Sequence, residues 1–207
     1  MSDPTQHIGT NGITIGARVQ GSGPLVILVH GFPELWYSWR HQIEPSANAG
    51  FKVVAIDVRG YGNSDKPATI DAYDMVELTG DIIGPNSFPI WLSEQDFDYY
   101  TQAFSKSGFR GPLNRYRAQQ RDWDILPQLS ELMIDPPSYF IAGSLDLVRY
   151  LVPEMDLYEH PGASCTDFRG KTIIDGKGHW IQQEAPEKVN KALLDFLSSI
   201  SVDNCEI

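Results

Sequence analysis

The alternation of apolar and polar residues along the chain predicts its elements. Leu25 to Val29 is apolar throughout and stops abruptly at His30-Gly31-Phe32-Pro33-Glu34, the pattern of a buried strand ending in a sharp turn. Apolar residues then recur at helical spacing from Leu35 to Ile43, and a second apolar run, Phe51 to Asp57, follows. Strand, helix and strand in this order predict a parallel pair joined by a right-handed crossover. Upstream, Ile13 to Val19 alternates like an exposed antiparallel strand, and Gly21-Ser22-Gly23-Pro24 reads as the turn into Leu25.

The same reading extends downstream. Met75 to Ile83 shows a helical stripe stopped by Gly84-Pro85, and Ser93 is a candidate N-cap with Glu94 and Asp96 in the first turn behind it. Pro137 to Gly143 and Lys171 to Asp175 read as buried strands, and Pro186 to Ile200 as an amphipathic closing helix. The runs 25–29, 51–57, 137–142 and 171–175 are apolar without alternation. They are therefore expected to lie parallel in one sheet covered on both faces, with residues 86–123 largely helical.

A length of 207 residues allows one sizeable core, or a core with a small insertion. The formal net charge of −11 argues against a nucleic-acid partner, since phosphate binding needs clustered Lys and Arg. Residues 1–20 lack the basic start and apolar core of a signal peptide, and no apolar run approaches a membrane span, so a cytoplasmic location is expected. Cys165 and Cys205 stand in dissimilar contexts without metal-ligand spacing to His and are read as free thiols. No metal or organic cofactor is implied, because neither a ligand cluster nor a phosphate-binding glycine motif occurs.

A strand ending in a tight turn before a helix places backbone N–H groups where they can hold an anion. The nucleophile that such a turn serves is harder to find. Neither Gly-x-Ser-x-Gly nor Gly-x-Asp-x-Gly is present; Ser64 and Ser144 come nearest and have the wrong neighbours. Asp57 and Arg59, around the loop Arg59-Gly60-Tyr61-Gly62-Asn63-Ser64, are read as structural.

His30-Gly31-Phe32-Pro33-Glu34, Trp36-Tyr37-Ser38-Trp39-Arg40, the loop of residues 59–64, Phe109-Arg110-Gly111-Pro112-Leu113-Asn114-Arg115-Tyr116 and Gly178-His179-Trp180 together resemble the epoxide hydrolase family of the α/β-hydrolase fold. The resemblance covers nearly the whole chain. It implies an α/β fold with a mostly parallel sheet and a partial helical cap. It also implies that the Phe32 N–H is one oxyanion donor, that the Tyr116 phenol binds the epoxide oxygen, and that Asp146 is the acid orienting the base His179. A carboxylate after one strand and an imidazole after the next make a pair in which the acid fixes the tautomer and the free nitrogen takes a proton from water. The family's turn bearing the attacking Asp, of the type Gly-His-Asp-Trp-Gly, has no counterpart, which places an internal gap between residues 84 and 85. At about 30 residues per strand-helix-strand unit, the gap removes at least ~60 residues and two central strands.

The domains expected are thus 1–84 and 125–207 as the two parts of the core, with 85–124 as a remnant of the cap. Either the strands flanking the gap pair directly, or each is an apolar edge that favours self-association. The reaction implied is epoxide plus water to a vicinal diol on a small-molecule substrate, weak or lost here because the Asp nucleophile is missing. Haloalkane dehalogenases are the close enzymatic rival, and Tyr116 favours the epoxide enzymes over them. A catalytically dead small-molecule-binding or interaction protein, and a non-functional fragment, are the alternatives.

Overall fold

A computed structural model of the chain describes residues 5–10, 13–65, 91–117 and 131–200, together with 124 and 127. The chain divides into two compact units, Met1–Ile125 and Leu126–Ile207. The helix expected over 75–83, the junction at 84 and 85, residues 118–123 of the cap segment and Cys205 lie outside the described residues.

The first unit is built on a four-stranded sheet of β1 (Gln6–Thr10), β2 (Ile13–Gln20), β3 (Leu25–Val29) and β4 (Lys52–Ile56), in the spatial order β1-β2-β4-β3. β3 and β4 are parallel in register Leu25↔Lys52 to Val29↔Ile56, as strand, helix and strand predict. The connecting segment begins as a 3₁₀ turn at Trp36–Trp39 and becomes α1 (Arg40–Asn48). The alternating segment is antiparallel as expected but not exposed. β2 is flanked by β1 on one side and β4 on the other, and Ala17 is fully buried.

One side of this sheet packs on α1 through Leu28, Trp36, Ile43, Val53 and Ala55. The opposite side of β3 is a correction to the expectation of cover on both faces: Leu25, Ile27 and Val29 are 58%, 55% and 52% exposed. Side chains alternate across a strand, so these three share one face, and an apolar run is no guarantee that both faces find a partner.

α2 (Glu94–Ser107) starts where the sequence places it. Ser93 accepts the Asp96 N–H at 3.1 Å while the Asp96 carboxylate accepts the Ser93 N–H, a reciprocal cap that satisfies two orphan amides of the first turn. α3 (Arg110–Arg117) follows Gly108. Phe104 and Phe109 from this segment pack with Leu35 and Tyr61, so the expected cap remnant belongs to the first unit through its own apolar core.

The second unit pairs β5 (Ser138–Gly143) with β6 (Phe168–Ile174) in parallel. α4 (Ile181–Glu184) and α5 (Pro186–Ser199) close it, with Ile181 and Val189 packed on Ile174. The expectation of one continuous sheet is therefore corrected. The described strands form two sheets, each containing one of the predicted parallel pairs. Among the described residues, no helix is long and apolar enough to cross a membrane.

Candidate active site

In the first unit the turn after β3 is held from all sides. His30 is buried; its Nε2 accepts the Val58 N–H at 3.0 Å, so Nδ1 carries the hydrogen and donates to the Gly31 carbonyl at 2.7 Å. Glu34 folds back so that its carboxylate accepts the Gly31 N–H at 3.1 Å. The Phe32–Pro33 peptide is cis. Among the described residues, no hydrogen-bond partner of the Phe32 N–H is seen. The edge of the Tyr116 ring meets Phe32 with centroids 5.5 Å apart, so α3 brings the half-exposed Tyr116 beside that turn. Two residues assigned from the resemblance are thus neighbours.

Asp57 has a structural part in this unit. It is 1% exposed, and its two oxygens accept the N–H groups of Trp36 at 3.0 Å and Asn63 at 2.9 Å, tying the start of the helical segment to the loop after β4. Gly62, at φ +42°, lies so close that a Cβ would overlap that carboxylate. Ser64 Oγ donates to the Asp57 carbonyl and accepts the Gly16 N–H at 2.9 Å. Neither residue offers an attacking atom.

In the second unit, Asp146 and His179 meet. β5 and β6 end side by side, and the loops beyond them are stitched together: Ser144 N–H donates to Ile174 O at 3.0 Å, Leu145 N–H to Lys177 O at 2.8 Å, and Gly176 N–H to Ser144 Oγ at 2.9 Å. Ser144 Oγ in turn donates to Asp175 Oδ1 at 3.2 Å, so this hydroxyl too is committed to a turn. Gly143 is required here, because a Cβ on it would overlap the carbonyls of Lys177 and Gly178. The close approach brings Asp146, three residues past Gly143, to His179, one past Gly178.

Asp146 is buried and three donors converge on it. Val148 N–H reaches Oδ1 at 2.9 Å, capping the 3₁₀ turn Leu147–Tyr150, and Oδ2 accepts the Tyr158 hydroxyl at 2.7 Å and His179 Nδ1 at 3.0 Å. Burial opposes ionisation of Asp146, but the hydrogen bonds from Tyr158, His179 and Val148 outweigh it and hold the carboxyl below its usual range. Burial, reinforced by the bond to this carboxylate, drives the Tyr158 phenol well above its ordinary value. An ionised carboxylate only accepts, so the His179 hydrogen sits on Nδ1 and the lone pair of the neutral ring on Nε2. The imidazole is half exposed. Glu184 at the end of α4 fixes its backbone, accepting the Gly178 N–H at 2.8 Å and the Trp180 N–H at 3.0 Å.

Tyr158 and Glu184 are the residues that sequence reasoning missed. Glu184 stands in Gln182-Gln183-Glu184-Ala185-Pro186, five residues past His179, and that spacing is a usable signal. Tyr158 has no comparable one, since it acts across a loop with no periodic pattern. Among the described residues, no group of three or more His, Cys, Asp or Glu gathers as metal ligands.

The arrangement in the second unit can take a proton from water at His179 Nε2. Comparison with known proteins shows what the chain is similar to. A family model described as the α/β hydrolase fold matches residues 24–105. Epoxide hydrolase A of Mycobacterium tuberculosis is 26% identical over 325 aligned positions, covering 98% of this chain and 100% of that protein. Epoxide hydrolase 1 of Siraitia grosvenorii is 26% identical over 303, covering 92% and 96%. The solved structure of an epoxide hydrolase from an endophytic Streptomyces matches with a TM-score of 0.83 at 28% identity, covering 94% of this chain and 95% of that one. An alignment of 325 positions against a chain of 207 residues leaves more than a hundred positions of the relative without a counterpart.

Proposed function

We propose that this chain, whose similar proteins are epoxide hydrolases of the α/β-hydrolase fold, retains the water-activating half of epoxide hydrolysis and lacks the half that attacks the epoxide covalently. The observation that carries this reading is the 3.0 Å bond from His179 Nδ1 to Asp146, made by an imidazole that is itself half exposed. His179 Nε2 is the base and Asp146 the orienting acid. Tyr116 and the Phe32 amide, adjacent in the first unit, are assigned to binding an oxygen. A small-molecule epoxide as partner and a cytoplasmic location belong to the same reading.

Without an attacking carboxylate, the chemistry open to the chain is direct addition of water. The water oxygen bonds to an epoxide carbon, the carbon–oxygen bond of the ring breaks with its electron pair going to oxygen, and the proton lost by water passes to Nε2. The resulting alkoxide is reprotonated from the imidazolium or bulk water, giving the vicinal diol. General-base help reaches about 10²- to 10⁴-fold only where water and epoxide are held in line with the base, and none of the residues assigned here holds an epoxide carbon against a water at His179. Turnover of aryl and aliphatic epoxides, followed as diol by mass spectrometry, is expected near the buffer rate. A rate clearly above buffer that His179→Ala abolishes would establish direct water attack. A trapped glycol ester on any Asp would overturn the absence of a nucleophile.

The second reading is a small-molecule-binding protein without turnover; it needs no attacking carboxylate, and Asp57 offers none, since both its oxygens accept backbone amides. A rise in melting temperature on adding an epoxide or diol, with no diol formed, would distinguish it.

A further inference from the structure

The phenol of Tyr158 is placed with more care than packing requires. Its ring meets Phe140 of β5 edge-on with centroids 4.9 Å apart. Its backbone N–H donates to Asp156 Oδ1 at 2.9 Å, and the same carboxylate is gripped by Arg149 Nε at 2.8 and 2.9 Å. Leu157 N–H returns to the Arg149 carbonyl at 3.0 Å. From β6, Lys171 Nζ donates to the carbonyls of Tyr158 and Glu159, each at 2.7 Å. Strand β5, strand β6 and the turn after Asp146 thus each hold the segment that carries this one hydroxyl.

We infer that Tyr158 is a positioning residue: its hydroxyl, donated to the same Asp146 oxygen that faces His179, keeps that carboxylate ionised and aimed so that the hydrogen of His179 stays on Nδ1. The inference rests on the reading of Asp146 and His179 as a working pair and adds a third member to it. An oxygen that accepts a charge-assisted bond from a rigid phenol is fixed in direction, and an imidazole bonded to it inherits that direction. The groups facing Asp146 are His179, Tyr158 and the Val148 amide, and Arg149 is the further charge acting on Tyr158. Without the phenol, burial of Asp146 is opposed only by the first and the last of the three donors, which favours the neutral carboxyl.

The test uses the whole chain, isotope-labelled, with the Asp146 carboxyl carbon and the His179 ring nitrogens followed by NMR through a pH titration. Tyr158→Phe keeps the ring on Phe140 and removes only the hydroxyl. It is expected to move the Asp146 midpoint upward and to reduce the Nδ1–H signature of His179. Phe140→Leu loosens the ring contact but keeps the hydroxyl, and is expected to leave both near their original positions. An Asp146 midpoint unmoved in Tyr158→Phe, or moved equally in Phe140→Leu, would overturn the assignment. Should Tyr158→Phe fail to fold, Lys171→Met, which frees the loop carbonyls from β6, reads on the same scale: an upward move supports the assignment and an unmoved midpoint overturns it. Epoxide turnover does not enter these measurements, so an inactive chain with a shifted Asp146 would sink only the hydrolytic reading.

Discussion

Gly143 lies so close to Gly178 that a β-carbon on Gly143 would overlap the Gly178 carbonyl. The contact sets the distance between the loop carrying Asp146 and the loop carrying His179. Gly143→Ala forces those loops apart, and overpacking of this kind costs about 1–3 kcal/mol. Urea unfolding is expected to show that loss together with disappearance of the His179 Nδ1–H signal. An alanine variant of unchanged stability with the signal intact would show that the loops have room to give.

Asp146 makes stability depend on acid. Its folded pKa lies below the ordinary 3.8, so the contribution is fully present above that unfolded value and is lost as pH falls through the lower folded one. Unfolding followed from pH 5 downward should therefore show a steeper decline in the native chain than in Asp146→Asn. Parallel declines would mean that the carboxyl is not held ionised.

Asp57 is expected to matter for folding and not for chemistry. Asp57→Ala leaves the Trp36 and Asn63 amides without their acceptor, and each orphaned buried donor costs about 1–3 kcal/mol. Chemical denaturation of that variant should show a loss of at least about 2 kcal/mol. A variant as stable as the native chain would require another acceptor for both amides.

β3 is expected to drive self-association. Leu25, Ile27 and Val29 are more than half exposed on one face, and Leu25–Val29 contains no charge or proline to blunt pairing. Light scattering should give a mass that rises with concentration, and Ile27→Lys should suppress the rise. A native chain that stays monomeric across the same range would show that this face does not associate.

Much of the local structure was legible in the residues. The limits of β3, the cap at Ser93 and the strands before Asp146 and His179 depend on contacts a few positions apart, and periodicity and capping report such contacts directly. The pairing of His179 with Asp146 was anticipated because each follows a strand. The short strand β1 was not, since Gln6–Thr10 is polar and owes its existence to pairing with β2.

The sequence by itself determined the kind of elements and their order, because those follow from residue spacing and residue type. Only the tertiary structure decided that β3–β4 and β5–β6 form separate sheets, that β3 keeps a bare apolar face, and that Tyr158 joins Asp146 across a loop. Strand partners and long-range polar contacts depend on how the connecting chain closes in space, and no local pattern encodes that closure.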